Sequence, residues 1–203
     1  MPNSILTVEQ KLLLNQIREE IKIGLPGEEA QNKLAPISSK SKYRIAPDNH
    51  KKACVMSLIY PEGNELRMAF IERTFSHPED KHGGQISFPG GKLEEEDDTL
   101  LIGALREVEE EIGIPSDQIS ILGQLTDLYV FASNFMVYSF VGHMENSPKF
   151  IPQESEVASI VSFPIRVQGL TGSGIRSSGA SPDSTRLMLA KERPFPPTFS
   201  ISS

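Results

Sequence analysis

The sequence has no tryptophan, a single cysteine and no excess of basic residues, and each shortage removes a class of reading. The lone Cys54 forms no internal disulfide, and it lies in the apolar run ACVMSLIY, where a small buried residue is the ordinary occupant. With 20 Lys and Arg against 27 Asp and Glu the formal charge is −7, which argues against a general nucleic-acid binder, since such proteins present a basic face to phosphate. An anionic ligand would then need a metal ion or a few well-placed Arg and Lys. No stretch approaches the roughly 18 to 20 uninterrupted apolar residues of a membrane span. The triplet Leu12 to Leu14 is too short and too closely flanked by charge for a signal peptide. The chain therefore reads as cytoplasmic, with neither membrane nor nucleic acid as a partner.

What is present is an ordinary globular balance: 203 residues, 38% hydrophobic and 23% charged, enough for one domain with a real core. Thr7 to Ile23 carries a Thr with Gln three positions later, a capping-box pattern, then Leu12, Leu13, Ile17 and Ile21 near helical spacing, up to Gly24. Pro26, Gly27, Pro36 and Pro47 predict an irregular connection through residues 24–50. Ala53 to Tyr60 and Glu65 to Glu72, split by PEGN, predict a hairpin, and QISF a short strand between Gly83-Gly84 and Gly90-Gly91. Asp98 to Ile112 predicts an amphipathic helix, with Asp98 as N-cap, Leu101, Leu105, Val108 and Ile112 as its apolar stripe, and Gly113 as terminator. Strands are expected at Ile119 to Leu125, Asp127 to Phe131, Met136 to Gly142 and Glu156 to Ile165. The organisation is a single α/β domain in three stretches: 1–50, a helix and connection; 51–166, the core; and 167–203, a Ser/Gly/Pro-rich tail with only Thr185 to Glu192 offering regular structure.

The stretch LREVEEEIGI at Leu105 to Ile114 poses an electrostatic problem. Glu107 pairs with Glu110 at i, i+3 and with Glu111 at i, i+4, and each like-charge contact costs about 0.2–0.5 kcal/mol. Acids at the negative end of a helix lose roughly another 0.3–1 kcal/mol. Arg106 with Glu110 is the only basic pairing, in the less favourable order. A divalent cation supplies the compensating charge, and an all-oxygen site of three carboxylates suits Mg²⁺ or Mn²⁺, not Zn²⁺.

The wider segment GGKLEEEDDTLLIGALREVEEEIGI resembles the Nudix box, with a complete match at Arg106, Glu107, Val108, Glu110, Glu111, Gly113 and Ile114. The family spacing of five residues from glycine to acid fits Gly91 to Asp97, but eight residues, not seven, then precede Arg106, and the acid is Asp. The resemblance implies a Nudix-type α/β/α sandwich around a mixed sheet and Mg²⁺- or Mn²⁺-dependent hydrolysis of a nucleoside diphosphate linked to another group. It makes Glu107 a metal ligand or general base, Glu110 and Glu111 ligands, and Arg106 the member of the catalytic set that orients these glutamates. Glu156 is expected to complete the metal site, and Asp97 either to share that site or to cap the helix.

Upstream, ERTFSHPEDKHGGQISFPGGK resembles the additional signature of the coenzyme A pyrophosphatase branch, which tolerates both the Asp and the longer spacing. That resemblance implies cleavage of CoA or acyl-CoA to 3′,5′-ADP and 4′-phosphopantetheine, with Arg73, Lys81, His82, Gly90 and Gly91 binding substrate. Two other readings stay open. One is a Nudix hydrolase of ADP-ribose or NADH, and the other is a Nudix-fold isomerase or a non-catalytic binding protein. The isomerase chemistry uses a reactive Cys and a Trp, and binding modules of this kind tend to lose the glutamates. Branch members continue past a segment like ERPFPPTFSIS into a Trp-containing stretch and a last helix, so the tail is expected to be short relative to the branch. A homodimer is compatible with these features.

Overall fold

In the computed structural model, residues 5–34, 45–75, 83–167 and 187–189 are described. In chain order the elements are α1 (Val8–Ile23), α2 (Gly27–Leu34), β1 (Lys51–Glu62), β2 (Glu65–Arg73), β3 (Ile86–Ser87), β4 (Gly90–Lys92), α3 (Leu100–Ile112), a 3-10 turn at Ser116–Gln118, β5 (Ser120–Gln124), β6 (Leu128–Val130), β7 (Phe135–His143), β8 (Val157–Val167) and β9 (Leu187–Leu189).

The predicted hairpin forms, with β1 antiparallel to β2 and Glu62 opposite Glu65 across a turn in which Gly63 takes φ 60°. The sheet runs β5-β7-β1-β2-β8-β9, and β1 with β7 is its parallel pair, from Lys51 opposite Phe135 to Ile59 opposite His143. The sheet is therefore mixed. Along one edge β1 changes partner: Ala53, Cys54 and Val55 pair with β4, whereas Ile59 onward pairs with β2. Between the two, the Met56 amide donates to the Pro89 carbonyl at 2.9 Å, which brings Gly90 and Gly91 under α3.

Strand alternation sorts the core into two layers. Cys54, Met56, Leu58 and Tyr60 of β1 pack with Ala104, Val108 and Ile112 of α3. Ile59, with Met68 and Phe70 of β2, packs with Leu14 and the flanks of Leu13, Ile17 and Ile21 of α1. Helices on both faces of one mixed sheet make an α/β/α sandwich. Each fully buried Val or Ile in these layers contributes about 1.5–3 kcal/mol.

Three local expectations are corrected. Leu12 is 59% exposed and Leu14 is buried, because Gln10, Leu14, Ile17 and Ile21 share one helical face and Leu12 lies off it. The connection after Gly24 contains α2, whose GEEAQNKL has no apolar stripe to reveal it. Its Gln31 Nε2 donates to the Thr126 and Asp127 carbonyls at 3.1 and 3.2 Å, a tertiary bond that propensity does not report. Thr99, not Asp98, caps α3, its Oγ1 accepting from the Ile102 amide at 3.2 Å. The capping box at Thr7 and the left-handed Gly113 terminator form as expected.

Candidate active site

Arg106 is the hub of the acidic end of α3. A guanidinium has five N–H donors, and here every one is used. Nε donates to Asp97 Oδ1 at 3.0 Å, Nη2 to Asp97 Oδ2 at 3.0 Å and to the Lys92 carbonyl at 3.1 Å, and Nη1 to Glu107 Oε1 at 3.0 Å and Glu110 Oε2 at 2.9 Å. The bidentate bond to Asp97 is the strong geometry for an Arg–carboxylate pair. It holds the Asp97 carboxyl below the usual carboxylate range, against the opposing effect of burial, and keeps the guanidinium firmly protonated. Asp97 also accepts from the Glu94 amide at 2.9 Å, and its side chain is only 3% exposed. Gly103 makes this possible, since a Cβ there would stand 2.9 Å from Asp97 Oδ2. Asp97 thus neither caps α3 nor joins the glutamates. It anchors the arginine that holds two of them.

The glutamates are not equivalent. At 100° per residue Glu110 and Glu111 point a quarter-turn apart, and their burial differs accordingly. The Glu110 side chain is 59% exposed, that of Glu107 13%, and Glu111 is 1% exposed as a residue. Glu111 Oε2 accepts from the Gly90 amide at 2.8 Å, while Oε1 is buried with no hydrogen-bond partner. Burial pushes its carboxyl up to about 8, relieved by the Gly90 amide and Arg73 and reinforced by Glu107 and Glu156. Glu107 is also raised, by burial first, with Arg106 opposing and Glu110 and Glu156 adding. Gly91 leaves room for it, as a Cβ there would lie 2.6 Å from Glu107 Cδ. Gly90, at φ 150°, would put a Cβ 2.7 Å from Val55 Cα. Both glycines therefore lie beneath the carboxylates and shape their floor.

The negative end of α3 is closed by a segment that sequence reasoning did not connect with it. The Gly113 amide donates to Glu109 O at 3.0 Å, the Gln153 amide to Glu111 O at 2.9 Å and the Ile151 amide to Ile112 O at 2.9 Å. These bonds satisfy carbonyls that a helix end leaves without partners. They also bring exposed Glu156, in the turn before β8, close enough for its charge to act on Glu107 and Glu111. Arg73, at the end of β2 and opposite Val157 of β8, also acts on Glu111, with the opposite sign. Lys81 and His82 lie outside the described residues. Cys54 is buried and pushed up to about 11, first by burial and then by Asp97 and Glu107, an unreactive core thiol.

A buried carboxylate oxygen without a partner, beside a second half-desolvated carboxylate, is an arrangement a cation would complete. Among the described residues, no group of three or more His, Cys, Asp or Glu side chains already stands together to hold a metal ion. Arg106 Nη1 occupies the space between Glu107 and Glu110. The donor set is nonetheless all oxygen, and it fits Mg²⁺ or Mn²⁺.

A family model described as NUDIX domain matches residues 50–167, the part of the chain that carries this site. The chain belongs to the NUDIX family. It is similar to an uncharacterized Nudix hydrolase, NudL, of Yersinia enterocolitica, 42% identical over 85 residues that cover 42% of this chain and 43% of the relative. The NudL of Pectobacterium atrosepticum is 39% identical over 85 residues, covering 42% and 44%. The chain thus spans less than half the length of the curated relatives it matches. Among solved structures it is similar to a MutT/nudix family protein from Enterococcus faecalis, with TM-score 0.48, 15% identity, and 71% of this chain and 59% of that one covered. It is also similar to the NUDIX domain of Shewanella oneidensis NrtR, solved with ADP ribose, with TM-score 0.46, 17% identity, and coverage of 67% and 82%. NUDIX hydrolases generally use divalent metal ions such as Mg²⁺ or Mn²⁺. No helix among the described residues is long and apolar enough to cross a membrane.

Proposed function

We infer that this NUDIX chain hydrolyses the diphosphate bond of coenzyme A or its derivatives, giving 3′,5′-ADP and 4′-phosphopantetheine. The observation that carries the hydrolytic part is the pair of desolvated carboxylates, Glu107 and Glu111, with Glu111 Oε1 buried and without a partner. Support for CoA comes from the segment ERTFSHPEDKHGGQISFPGGK, whose ends fold against this pair: Arg73 acts on Glu111, and Gly90 and Gly91 lie beneath the carboxylates.

Glu107, Glu110 and Glu111 would hold the ion, with Glu156 beside them. Mg²⁺ or Mn²⁺ bound there offsets the charge of the diphosphate oxygens and lowers the pKa of water. The chain's own residues divide the remaining work. Arg106, with every donor used, is a positioning residue that keeps Glu107 and Glu110 aimed. Glu107, with its pKa raised, is suited to take a proton from the attacking water. Arg73, beside the turn that carries Glu156, offers a positive charge to the substrate phosphates.

Incubation with CoA, ADP-ribose, NADH and dinucleoside polyphosphates, with and without Mg²⁺, tests this reading. Release of 3′,5′-ADP from CoA only with metal is the expected result. Turnover of ADP-ribose or NADH without turnover of CoA would replace the substrate and leave the hydrolytic reading standing. No turnover of any of them would refute both.

A further inference from the structure

Phe75 is a large apolar side chain left 62% exposed, two residues beyond Arg73. Two residues of chain span at most about 7 Å, so its backbone stands at the rim of the site. Its position is built. The Thr74 amide donates to Glu156 O at 2.8 Å and Thr74 Oγ1 to Glu154 O at 3.2 Å, which ties this stretch to the turn carrying Glu156. The ring rests against the backbone of the returning chain, where a Cβ on Gly83 would lie 2.8 Å from Phe75 Cε1 and one on Gly84 3.0 Å from Cζ. The Gly84 amide donates to Arg73 O at 2.8 Å and the Arg73 amide to Gln85 O at 3.0 Å, closing that return. Two consecutive glycines thus leave the room the ring needs against this backbone. A lone exposed apolar residue on a surface is ordinary. An exposed aromatic ring packed on backbone, two residues from an arginine and tied to the turn that carries Glu156, is a surface for a planar ligand group.

We propose that the open face of Phe75 stacks the base of the nucleotide substrate, making Phe75 a specificity-determining residue that favours base-carrying diphosphates over base-free ones. This rests on the hydrolytic reading above but not on CoA in particular, since every nucleotide base offers a flat π face.

The absence of tryptophan from the chain supplies a direct test. Phe75→Trp installs a single indole, and titration with 3′,5′-ADP is expected to quench its fluorescence saturably, whereas ribose 5-phosphate and inorganic pyrophosphate leave it unchanged. In steady-state assays on a base-carrying diphosphate, Phe75→Ala and Phe75→Leu are expected to raise KM about five- to tenfold, the low end of what a base–aromatic stack supplies. Their kcat stays within about twofold of wild type, and Phe75→Tyr restores KM. Phe75→Leu keeps apolar cover over Gly83 and Gly84, so a purely structural role would leave its KM at the wild-type value. Unquenched indole, or KM raised equally for a base-free diphosphate diester, overturns the proposal. If wild-type protein releases no 3′,5′-ADP from CoA, the CoA reading falls, and the quenching titration still decides for or against stacking.

Discussion

Replacing Glu111 by Gln should abolish a pH dependence of stability that the wild-type fold carries in the absence of metal. Glu111 is 1% exposed, and its carboxyl is raised from an ordinary 4.5 to about 8. Because the native pKa is the higher one, the folded chain keeps a proton that the unfolded chain releases. This contribution is fully present below pH 4.5 and is lost as the pH climbs through about 8. At 1.36 kcal/mol per pH unit the loss approaches about 5 kcal/mol, and relaxation and water entry bring the observed span to about 2–5 kcal/mol. Gln resembles the protonated acid in shape. Its Oε1 keeps the bond to the Gly90 amide, and it does not ionise. The assay is urea unfolding in EDTA from pH 5 to pH 8.5 for both proteins, so that all other titrating groups cancel in the difference. Wild type should lose stability relative to Glu111→Gln by about 2–5 kcal/mol across that range. Adding Mg²⁺ at pH 8 should stabilise wild type and leave the variant nearly unmoved. Parallel pH profiles would refute the reasoning, because they would mean that the carboxylate is hydrated or already paired.

Asp97→Asn removes the charge that anchors Arg106 while keeping one acceptor, and should cost about 1.5–3 kcal/mol in thermal unfolding and lower kcat as Glu107 and Glu110 lose their aim. Unchanged melting and unchanged kcat together would count against Asp97 as the anchor. Glu110→Gln, at a side chain 59% exposed, should leave stability within about 0.5 kcal/mol and lower turnover by several orders of magnitude. Surviving activity would remove Glu110 from the ligand set. Gly113→Ala forces a side chain onto φ 69° and puts a Cβ 2.7 Å from Ile151 Cβ, which should destabilise the fold by about 1–3 kcal/mol in urea. An unshifted urea midpoint would show that the seam between Ile151 and α3 yields easily.

The elements that could be read in advance carry their signal within a few residues. Thr7 and Gln10 bond each other, Gly113 ends α3 where the apolar stripe stops, and the PEGN turn pairs strands that lie next to each other in sequence. The elements that were misread depend on distant partners. α2 is held through Gln31 to β6's approach, and on α1 the expected Leu13, Ile17 and Ile21 pack inward while Leu14 takes the buried place expected of Leu12. At the site, the glutamate spacing was legible, and it pointed to a charge problem with a cation as its answer. Arg106 was legible as the partner of Glu110 and the residue that orients the glutamates; its anchoring from outside the helix, by Asp97 and the Lys92 carbonyl, was not, because those partners are brought to it only by the fold.

Composition and spacing by themselves determined that this chain is a mixed α/β domain with an acidic helix end of NUDIX pattern, because periodicity and motif spacing are properties of the linear chain. The tertiary structure decided which glutamate is buried. Carboxylates at adjacent positions on one helix have the same intrinsic chemistry, and only packing against Gly90, 21 residues away, places Glu111 where water cannot reach it and leaves Glu110 in solvent. Desolvation is a property of the assembled fold, and burial sets Glu107 and Glu111 apart from the solvent-facing Glu110 on the same helix.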